Sequence, residues 1–419
     1  MSSKKTDVAI IGGGVIGLCT AYYLNKAGIS VTIIEKKQPG FGSSFGNAGL
    51  ISPSHFVPLA APGMVAKGLK WMFDAESPFY IHPRPDIDLI TWLWKFMRAS
   101  TDKRMRPAMP VLRDMTLASQ QLFHTMANEE RFDFALEQKG LILLHDTAEG
   151  EKAHHHEVAL ANEVGVTARM ISREEIHQMQ PGVKVRATGG VFFPQDGHLI
   201  PDQFNAKLTS LLQTRGVQFM NETDVFGFVP NGKAAGHLRT SEGDIHADQY
   251  VVAAGAWTSD LLYEIGIALP VQAGKGYSVT VKREKNNLTI PIICTEARVA
   301  ITPMGDTIRY AGTLELSGND LTINPRRVKA ILRAADRYLE NFDAQSSDIQ
   351  TAWAGLRPCS PDGLPFIGRF KRAPNVIAAT GHAMLGITLG PITGKLVSEI
   401  VTNTPQTITS PLLDADRYA

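Results

Sequence analysis

The chain has 419 residues, of which 44% are hydrophobic and 20% charged, a composition typical of an ordinary enzyme of about two domains. With 42 basic and 41 acidic residues, the net charge of +1 excludes the basic surface that nucleic-acid binding requires. The three cysteines form no C-x-x-C pair, which excludes a disulfide framework and indicates a reducing compartment. Residues 1–6 carry no apolar signal and no run of about 18 apolar residues follows, so we expect a cytoplasmic protein without a transmembrane helix.

Residues 7–35 have the pattern of a strand, a glycine turn, a helix and a second strand. The apolar residues 8–11 are too few for a helix and fit a buried strand, which ends at a G-x-G-x-x-G sequence. Gly12 permits the tight turn, Gly14 lets a pyrophosphate approach the backbone, and Gly17 lets the helix lie close to the strand. The N-terminus of this helix would offer unpaired N–H groups to the pyrophosphate.

The helix is expected to end near Gly28, and the next strand covers residues 31–34. Glu35 follows this strand directly and offers an acceptor for two ribose hydroxyls. A lone glycine motif is weak evidence, but the preceding strand, the following helix and the acid complete its context. The segment therefore predicts an adenine dinucleotide site, with NAD and FAD both open at this point.

A polar loop rich in glycine and serine, residues 38–53, comes next, where an extended cofactor would continue beyond the ribose. Apolar spacing over residues 88–98 predicts an amphipathic helix that carries Lys95 and Arg98. Its apolar face fits packing against the core, which we favour, or contact with a membrane surface.

The middle of the chain alternates predicted helices and strands. Residues 104–128 read as a helix, whereas residues 140–144 and 189–194 read as strands. The run His154-His155-His156 lies in a charged helical segment. Adjacent residues on a helix point in different directions, so we expect a solvated face here and no metal site.

Helix starts are predicted at two further polar residues. Ser172 opens a helix with a capping box, and Asp202 is expected to cap a helix that ends near Gly216. Strand signals at residues 217–219 and 224–225 follow. This segment predicts a second βα unit of the nucleotide-binding domain.

The pattern changes in the second half of the chain. An apolar strand over residues 250–253 ends in Ala-Gly-Ala, which suits a close passage of the backbone past a cofactor. Alternating strands over residues 271–316 indicate an antiparallel sheet, and residues 328–339 predict a helix that covers one of its faces. A further strand is expected at residues 375–380.

The last third is predicted to return to the first domain. Residues 353–363 predict a rigid, proline-framed turn that exposes Arg357. Residues 381–391 lead into a final helix, whose N-terminus would favour negative charge on a ring such as a reduced flavin. With residues 42–50 and 251–258, three separate glycine-bearing stretches would surround one cofactor, which is more than NAD needs.

With these features, the chain resembles the D-amino-acid oxidase superfamily of FAD enzymes, and within it most closely the bacterial D-amino-acid dehydrogenases. The resemblance covers nearly the whole length. Besides the glycine motif it is carried by Asn47-Ala48-Gly49 with Ile51-Ser52-Pro53, Ala60-Ala61-Pro62-Gly63, Lys70-Trp71-Met72-Phe73, Lys275-Gly276-Tyr277-Ser278, Gly355-Leu356-Arg357-Pro358 through Pro361-Asp362-Gly363, and Thr380-Gly381-His382.

The resemblance implies an α/β fold in which a Rossmann-like FAD-binding domain with a mostly parallel sheet is interleaved with an α+β substrate domain built on an antiparallel sheet. We expect the FAD-binding domain to comprise residues 1–85, 200–265 and 350–419, and the substrate domain residues 86–199 and 266–349.

The resemblance also implies non-covalent FAD, and no metal is expected. The cofactor would be bound by residues of the glycine motif, the ribose acid and the later glycine stretches: Gly12, Gly14, Val15, Ile16, Gly17, Glu35, Lys36, Gly42, Ser43, Ser44, Asn47, Ala48, Gly49, Leu50, Val225, Ala254, Gly255, Trp257, Gly381, Leu385, Gly386, Ile387 and Thr388. Arg357 would bind the substrate carboxylate, because a planar guanidinium binds a carboxylate through two hydrogen bonds. Tyr277 would add a hydrogen bond unless it is a core tyrosine, and His382 would shape the flavin pocket.

The implied reaction is oxidative deamination of D-amino acids by hydride transfer from the substrate Cα to flavin N5, followed by hydrolysis to a 2-oxo acid and ammonia. Electrons would pass to quinone or another acceptor, with peripheral contact at the inner face of the membrane. A substrate-binding tyrosine of eukaryotic oxidases is missing near Val299-Ala300, which leaves D-proline and hydroxy-D-proline open as substrates. The rivals are a glycine- or sarcosine-type secondary-amine oxidase that uses O2, and an FAD-holding subunit of a hetero-oligomer.

Overall fold

The computed structural model of the protein describes residues 5–71, 78–232, 234–283, 288–340 and 349–419, so Met72 and Phe73 of one family motif lie outside the described residues. The strands, numbered in chain order, are β1 (Lys5–Ile11), β2 (Val31–Ile34), β3 (Leu50–Ile51), β4 (Phe79–Ile81), β5 (Leu141–His145), β6 (Arg169–Ser172), β7 (Lys184–Val185), β8 (Gly189–Phe193), β9 (Gly197–His198), β10 (Gln218–Met220), β11 (Val225–Asn231), β12 (Ala234–Thr240), β13 (Gly243–Val252), β14 (Gln272–Lys282), β15 (Ile292–Cys294), β16 (Val299–Met304), β17 (Thr307–Leu316), β18 (Leu339–Glu340), β19 (Ile349–Cys359), β20 (Phe366–Arg369) and β21 (Val376–Thr380). The α-helices are α1 (Val15–Lys26), α2 (Met64–Trp71), α3 (Ile87–Ala99), α4 (Asp102–Glu130), α5 (Ala148–Glu163), α6 (Arg173–Met179), α7 (Pro201–Thr214), α8 (Thr258–Tyr263), α9 (Pro325–Tyr338) and α10 (Gly386–Thr402).

The first sheet has a parallel centre in the order β10-β2-β1-β13-β21, which antiparallel strands extend at one side. β1 lies between β2 and β13, so that Ile10 is paired with Ile33 on one side and with Val251 on the other. These three side chains are fully buried, as expected for strands covered on both faces. The predicted strand, glycine turn, helix and strand at the start of the chain are confirmed.

Helices α1 and α10 pack closely on one face of the first sheet. A Cβ on Gly394 would overlap the backbone of Cys19, and one on Gly390 would lie 3.0 Å from Cγ2 of Val15. Glycine at these positions lets the helices approach with their N-termini at the same end. Both helix N-termini therefore point toward the same region of the protein.

The segment Ala383–Thr402, which includes α10, is apolar and long enough to cross a membrane by length and composition alone. However, 83% of its most apolar stretch is buried inside the protein, where it packs against α1 and α4. We therefore interpret it as a core helix.

The second sheet has the strand order β19-β14-β17-β16-β15-β5-β8-β6, and β4 pairs with β17. Its pairs are antiparallel except β15 with β5 and β17 with β4. Helix α9 covers one face, where Val328, Ile331 and Leu332 share a buried cluster with Val279 and Ile301. The predicted fold class and this covering helix are confirmed.

Sheet pairing departs from the predicted domain bounds at two segments. The bounds 1–85 and 350–419 assign β4 and β19 to the FAD-binding domain, but these strands pair with β17 and β14 of the second sheet. The turn predicted over residues 353–363 is also wrong, because the chain stays extended up to Cys359 and turns only after it. Pairing with the distant β14 stabilises an extended segment that looks like a turn locally.

The predicted N-cap of α7 is wrong as well. Ile200 occupies the N-cap position, Pro201 begins the helix, and Asp202 lies in the first turn. Proline is preorganised for the first helical position and an acidic residue next to it favours the helix dipole, so the start shifts by two residues. The capping box at Ser172 is confirmed, with Glu175 as its second member.

The histidine run on α5 is only partly solvated. His155 and His156 are exposed as predicted, but His154 is fully buried. Its Nδ1 lies 2.8 Å from Nδ1 of His145 and its Nε2 lies 3.0 Å from Oγ1 of Thr295. His145 is only nine residues away in the preceding strand β5, whereas Thr295 is 141 residues away, so the local helical pattern could not indicate that these two residues enclose His154.

Candidate active site

A cavity of about 1450 Å³ is lined by residues of both sheets. Its size exceeds the usual volume of a pocket for one small molecule and suits a long cofactor with a substrate beside it. The glycine turn after β1, the loop after β2, the segment after β13 and the N-terminus of α10 all contribute to its wall. The three glycine-bearing stretches predicted to surround one cofactor therefore lie together.

Two glycines of the turn after β1 have no room for a side chain. Gly12 has φ of +106°, and a Cβ there would lie 2.5 Å from the carbonyl oxygen of Ala253. A Cβ on Gly17 would overlap the carbonyl oxygen of Gly12, so Gly17 sets the distance between helix and turn. Gly14 is the N-cap of α1 and offers no side-chain cap, which leaves the helix N-terminus open toward the cavity.

Glu35 lies at the end of β2, as the dinucleotide pattern requires. Its Oε2 accepts a hydrogen bond of 2.7 Å from the N–H of Gly13, and its Oε1 accepts one of 2.9 Å from the N–H of Lys37. These bonds fix the carboxylate at the cavity wall and leave each oxygen with a lone pair for a ribose hydroxyl. The neighbouring Lys36 lines the cavity and forms an ion pair of 3.0 Å with Asp224.

The loop over residues 42–50 is tied to both sheets. Ser44 Oγ accepts a hydrogen bond of 2.9 Å from the N–H of Val15 at the start of α1. Ser43 donates a bond of 2.5 Å to the carbonyl oxygen of Leu356 in β19. Arg309, a buried residue of β17, donates to the carbonyl oxygen of Asn47 at 3.0 Å. The second sheet therefore holds the loop in place from one side and the glycine turn from the other.

Arg357 presents a guanidinium to the cavity from β19. Its Nη1 donates a hydrogen bond of 2.9 Å to the carbonyl oxygen of Thr313, and it lies over Gly276, where a Cβ would overlap it. Within the described residues it pairs with no carboxylate, and burial lowers the pKa of its guanidinium. A half-buried cation that faces a cavity and has no counter-ion among the described residues is suited to bind a ligand carboxylate.

His382 lines the cavity from the segment before α10. Its Nε2 lies 2.9 Å from Oγ1 of Thr393, whereas its buried Nδ1 has no hydrogen-bond partner within the described residues. Burial lowers the pKa of His382 to about 3, so the ring is neutral at any working pH. A neutral ring with one free nitrogen fits a residue that shapes the pocket. The low pKa excludes a role for His382 as a general acid near neutral pH.

The structure corrects the substrate role predicted for Tyr277. Its side chain is 1% exposed and packs with Val279 and Val281 in the cluster beneath α9. Its hydroxyl donates a hydrogen bond of 2.9 Å to Oε2 of Glu315, which also binds Arg327. Tyr277 is among the residues that line the cavity, but strand alternation places its side chain on the face opposite Ser278 and Ala311. Tyr277 is the core tyrosine that the sequence left open.

Most predicted cofactor residues line the cavity, but two lie behind its wall. Gly17 acts through the packing just described. Gly381 has φ of +83°, and a Cβ there would lie 2.9 Å from Cδ2 of Phe366, so it shapes the backbone before His382. The other members of the set line the cavity: Gly12, Gly14, Val15, Ile16, Glu35, Lys36, Gly42, Ser43, Ser44, Asn47, Ala48, Gly49, Leu50, Val225, Ala254, Gly255, Trp257, Leu385, Gly386, Ile387 and Thr388.

Sequence reasoning missed the indole of Trp353. This side chain lies against Gly46 of the cofactor loop and Gly355 of its own strand, where a Cβ on either glycine would overlap the ring. The two glycines in contact with one tryptophan are visible only in the fold, because they are about 300 residues apart in the chain.

A buried polar cluster beside the cavity was also missed. Ser54 donates hydrogen bonds to Asp196 from its N–H at 3.0 Å and from its hydroxyl at 2.5 Å. Oγ of Ser54 also lies 3.0 Å from Nδ1 of His55, which lines the cavity. Burial lowers the pKa of His55 to about 4 and raises the pKa of Asp196 to about 8. Both groups are therefore neutral near pH 7.

Replacing Asp196 with asparagine is expected to raise the Tm more at pH 9 than at pH 5. The folded-state pKa of about 8 lies above the unfolded value of about 3.9, so the proton stabilises the fold below pH 4 and this contribution is lost as pH rises through 8. The isosteric amide stays neutral and loses nothing over this range. The increase in Tm caused by the substitution should be at least about 2 °C larger at pH 9 than at pH 5. Equal increases at the two pH values would contradict the assigned pKa.

The residues present fit an adenine dinucleotide with a ring system. The N-cap residues of α1 and α10 provide no side-chain cap, and although Ser44 binds the first N–H of α1, both helix ends open onto the cavity, where their remaining N–H groups suit a pyrophosphate and an electron-rich ring. The unpartnered Nδ1 of His382 adds a polar contact at the same wall. Among the described residues no group of three or more acidic, histidine or cysteine side chains is arranged to bind a metal ion.

Comparison with known proteins agrees with this site. Residues 7–400 match the DAO family, described as FAD dependent oxidoreductase. A D-amino acid dehydrogenase of Bradyrhizobium diazoefficiens is 32% identical over 98% of this chain and 99% of its own, and one of Helicobacter pylori is 29% identical over 94% and 95%.

Solved structures support the same fold. A glycine oxidase from Geobacillus kaustophilus superposes with a TM-score of 0.82 at 24% identity, over 99% of each chain. An L-proline dehydrogenase from P. horikoshii superposes with a TM-score of 0.76 at 20% identity, over 99% of this chain and 98% of that one. With a dinucleotide turn, an open α10 N-terminus and a family match over nearly its whole length, the chain belongs to the DAO family of FAD-dependent oxidoreductases.

Proposed function

We propose that this protein is an FAD-dependent D-amino-acid dehydrogenase that converts D-amino or D-imino acids to 2-oxo acids. The observation that carries this proposal is Arg357, a half-buried guanidinium that faces the cofactor cavity and pairs with no carboxylate of the described chain. The D-amino acid dehydrogenases to which the chain is similar support the choice of substrate class.

Arg357 would bind the substrate α-carboxylate through both of its outer nitrogens and so fix the orientation of Cα. The substrate amine must lose a proton before oxidation, because its lone pair stabilises the cation that develops at Cα. Bound FAD would supply the two-electron oxidant for the Cα–N bond. With a primary amine, the resulting imino acid takes up water and releases ammonia as the 2-oxo acid forms. With a cyclic amine such as D-proline, the product is a cyclic imine whose hydrolysis opens the ring and releases no ammonia. His382 stays neutral throughout, so it positions groups and does not transfer the proton.

Glu35 would bind the ribose hydroxyls, the α1 N-terminus the pyrophosphate, and the α10 N-terminus the flavin ring. Non-covalent attachment is supported by the burial of Cys19, Cys294 and Cys359. Burial raises the pKa of all three thiols, in Cys359 to about 12, which keeps them protonated and unreactive.

Helix α3 supports a quinone acceptor at a membrane surface. Its inner face packs as predicted, with Leu89 and Trp92 in a core cluster. Its outer face exposes a stripe of large apolar side chains at helical spacing, flanked by the basic residues Lys95 and Arg98: Ile87, Ile90, Trp94 and Met97. An apolar stripe with basic flanks suits peripheral contact with anionic lipid, here at the cytoplasmic face of the membrane.

The test of the reaction is anaerobic mixing of the purified holoenzyme with a panel of amines while flavin absorbance is followed. We expect bleaching with D-amino acids, including D-proline or hydroxy-D-prolines, and not with the L-enantiomers. Preferred bleaching by glycine or sarcosine would favour the secondary-amine oxidase, and no bleaching with FAD bound would favour the subunit role. Low peroxide yield in air, with rapid turnover of a ubiquinone analogue, is expected for a dehydrogenase.

Replacing Ile90 and Trp94 together with serine is expected to lower sedimentation with vesicles of anionic lipid at least about fivefold, because the stripe loses its central apolar side chains. The matched control is Tyr263→Ser, which removes an exposed aromatic residue from α8. Equal sedimentation of both variants and the parent protein would contradict the lipid contact.

A further inference from the structure

Arg298 lies in the same sheet as the carboxylate-binding Arg357, and two strands, β14 and β17, separate the two residues. It precedes β16, where Val299 pairs with Gly312 of β17, and a Cβ on Gly312 would lie 3.2 Å from the carbonyl oxygen of Arg298. The next residue of β17, Thr313, accepts the hydrogen bond from Arg357. The side chain of Arg357 reaches past Gly276 of β14 to this carbonyl group, so both arginines lie beside the same short piece of β17.

The side chain of Arg298 opens onto the cavity and is exposed there. Within the described residues it has no hydrogen bond and no ion pair. The neighbouring Glu296 acts on Arg298 through its charge but forms no ion pair with it, and its oxygens accept hydrogen bonds from Asp146, Thr147 and Tyr338. The backbone at Arg298 has φ of +54°, a conformation that is unfavourable for a residue with a side chain. An unpaired guanidinium on a strained residue indicates a functional constraint.

Glu157 faces the same part of the cavity from α5. Burial raises the pKa of its carboxyl to about 7, and the charge of Arg298 opposes this rise. The same charge lowers the pKa of His55, so the three side chains lie close enough to interact. Like Arg298, Glu157 has no hydrogen-bond partner within the described residues.

The floor between these polar groups is apolar. Leu143, Ile293, Ala300 and Ala311 occupy one row across four paired strands, and all four line the cavity. The cavity therefore has a carboxylate-binding end at Arg357, a smooth apolar floor, and a second polar end at Arg298 and Glu157.

We propose that Arg298 and Glu157 form a side-chain subsite, which selects D-amino acids whose side chain ends in a group that both accepts and donates hydrogen bonds, such as a carboxamide or a hydroxyl. This inference rests on the proposed function and adds to it the preference of the enzyme for particular substrate side chains. Arg298 donates to the oxygen of the group, and a Glu157 oxygen accepts from its N–H or O–H.

Other side chains fit this end less well. An apolar side chain would remove water from Arg298 and leave its donors unpaired, which costs more than the apolar contact contributes. A carboxylate would pair with Arg298 but would lie against the carboxyl of Glu157. A carboxamide or hydroxyl satisfies both residues at once.

The test compares D-asparagine, D-leucine and D-aspartate, which have nearly the same shape, with D-alanine as a substrate too short to reach the subsite. With the holoenzyme, kcat/KM for D-asparagine is expected to exceed that for D-leucine and D-aspartate at least about tenfold. In the cyclic series, 4-hydroxy-D-proline is expected to exceed D-proline in the same way. Arg298→Leu is expected to lower the ratio of D-asparagine to D-alanine at least about tenfold, because the donor is lost.

Glu157→Gln provides an independent second variant, in which D-aspartate should gain relative to D-leucine because the opposing carboxyl is removed. Arg326→Leu, an exposed arginine at the start of α9, is the matched control and should leave all ratios unchanged. Flavin spectra and Tm values confirm that each variant is folded.

The outcomes separate this inference from the function on which it rests. Turnover of D-alanine without a preference for D-asparagine over D-leucine would overturn the subsite alone. An equal loss with D-asparagine and D-alanine in Arg298→Leu would also overturn it, because the residue would then act on the shared part of the substrate. Absence of turnover with every D-amino acid would overturn the proposed function and the subsite together.

Discussion

Replacing Arg357 with methionine is expected to lower kcat/KM for D-alanine by about a thousandfold. The guanidinium provides the charge-assisted bonds to the substrate carboxylate, and loss of one partner of a buried charged pair costs about 2–5 kcal/mol. Because the same contact orients Cα, kcat should fall together with the affinity. Steady-state kinetics with a quinone analogue measure both constants, and Arg357→Lys should recover part of the loss by restoring the charge without the planar fork.

The stability of the Arg357 variant distinguishes substrate binding from a structural role. In the substrate-free protein the guanidinium is half-buried without a counter-ion among the described residues, and this partial loss of water is unfavourable. Its single hydrogen bond to the carbonyl oxygen of Thr313 compensates little of this cost. Arg357→Met should therefore keep or raise the Tm while activity is lost. A lower Tm with unchanged kcat/KM would show that the arginine serves the fold and not the substrate.

The dinucleotide turn could be predicted because its constraints are local. Gly12, Gly14 and Glu35 are fixed by one strand, one turn and the next strand, so spacing alone places them correctly. The cofactor loop and the start of α10 could be predicted to lie at the same site because glycine and small polar residues are rare in such density, and both line the cavity. In each case the necessary information lies within about 30 consecutive residues, so local pattern is sufficient.

Other features could not be predicted because they depend on pairing between distant segments. Residues 353–359 contain glycine and proline, which are typical of a turn. They nevertheless form a strand because they pair with β14. Tyr277 carries a family motif, but its face is decided by the register of β14 against β17. A one-residue change in register would move its side chain to the opposite face of the sheet.

The charged residues at the second polar end of the cavity could not be predicted from the sequence either. Arg298 and Glu157 belong to no motif and are about 140 residues apart in the chain. From the sequence alone, each of these two charged residues would be expected to lie on the solvated surface. Only the packing of α5 against the sheet that contains β16 turns them into a facing pair, and the burial that perturbs the pKa of Glu157 follows from that packing.

Replacing Gly17 with alanine is expected to abolish FAD binding in the purified protein. The added methyl group would overlap the carbonyl oxygen of Gly12, so α1 must move away from the turn whose backbone N–H groups face the pyrophosphate. Gly17 does not line the cavity, so the loss would arise from displacement of the helix and not from contact with the cofactor. The ratio of flavin to protein absorbance measures the loss, and the Tm should fall as well because α1 packs in the core.

Gly368→Ala is the matched control for this change. Gly368 lies in β20 of the same sheet, and a Cβ there would meet its nearest neighbour, the N atom of Ala415, at 3.4 Å, an ordinary contact. This variant should keep its full flavin content. If Gly17→Ala also retained FAD, the helix position would not control the cofactor, and the α1 N-terminus would no longer explain pyrophosphate binding. If both variants lost FAD equally, the loss would reflect general destabilisation of the first sheet and the helices packed on it, since Gly17 lies in α1 and Gly368 in β20.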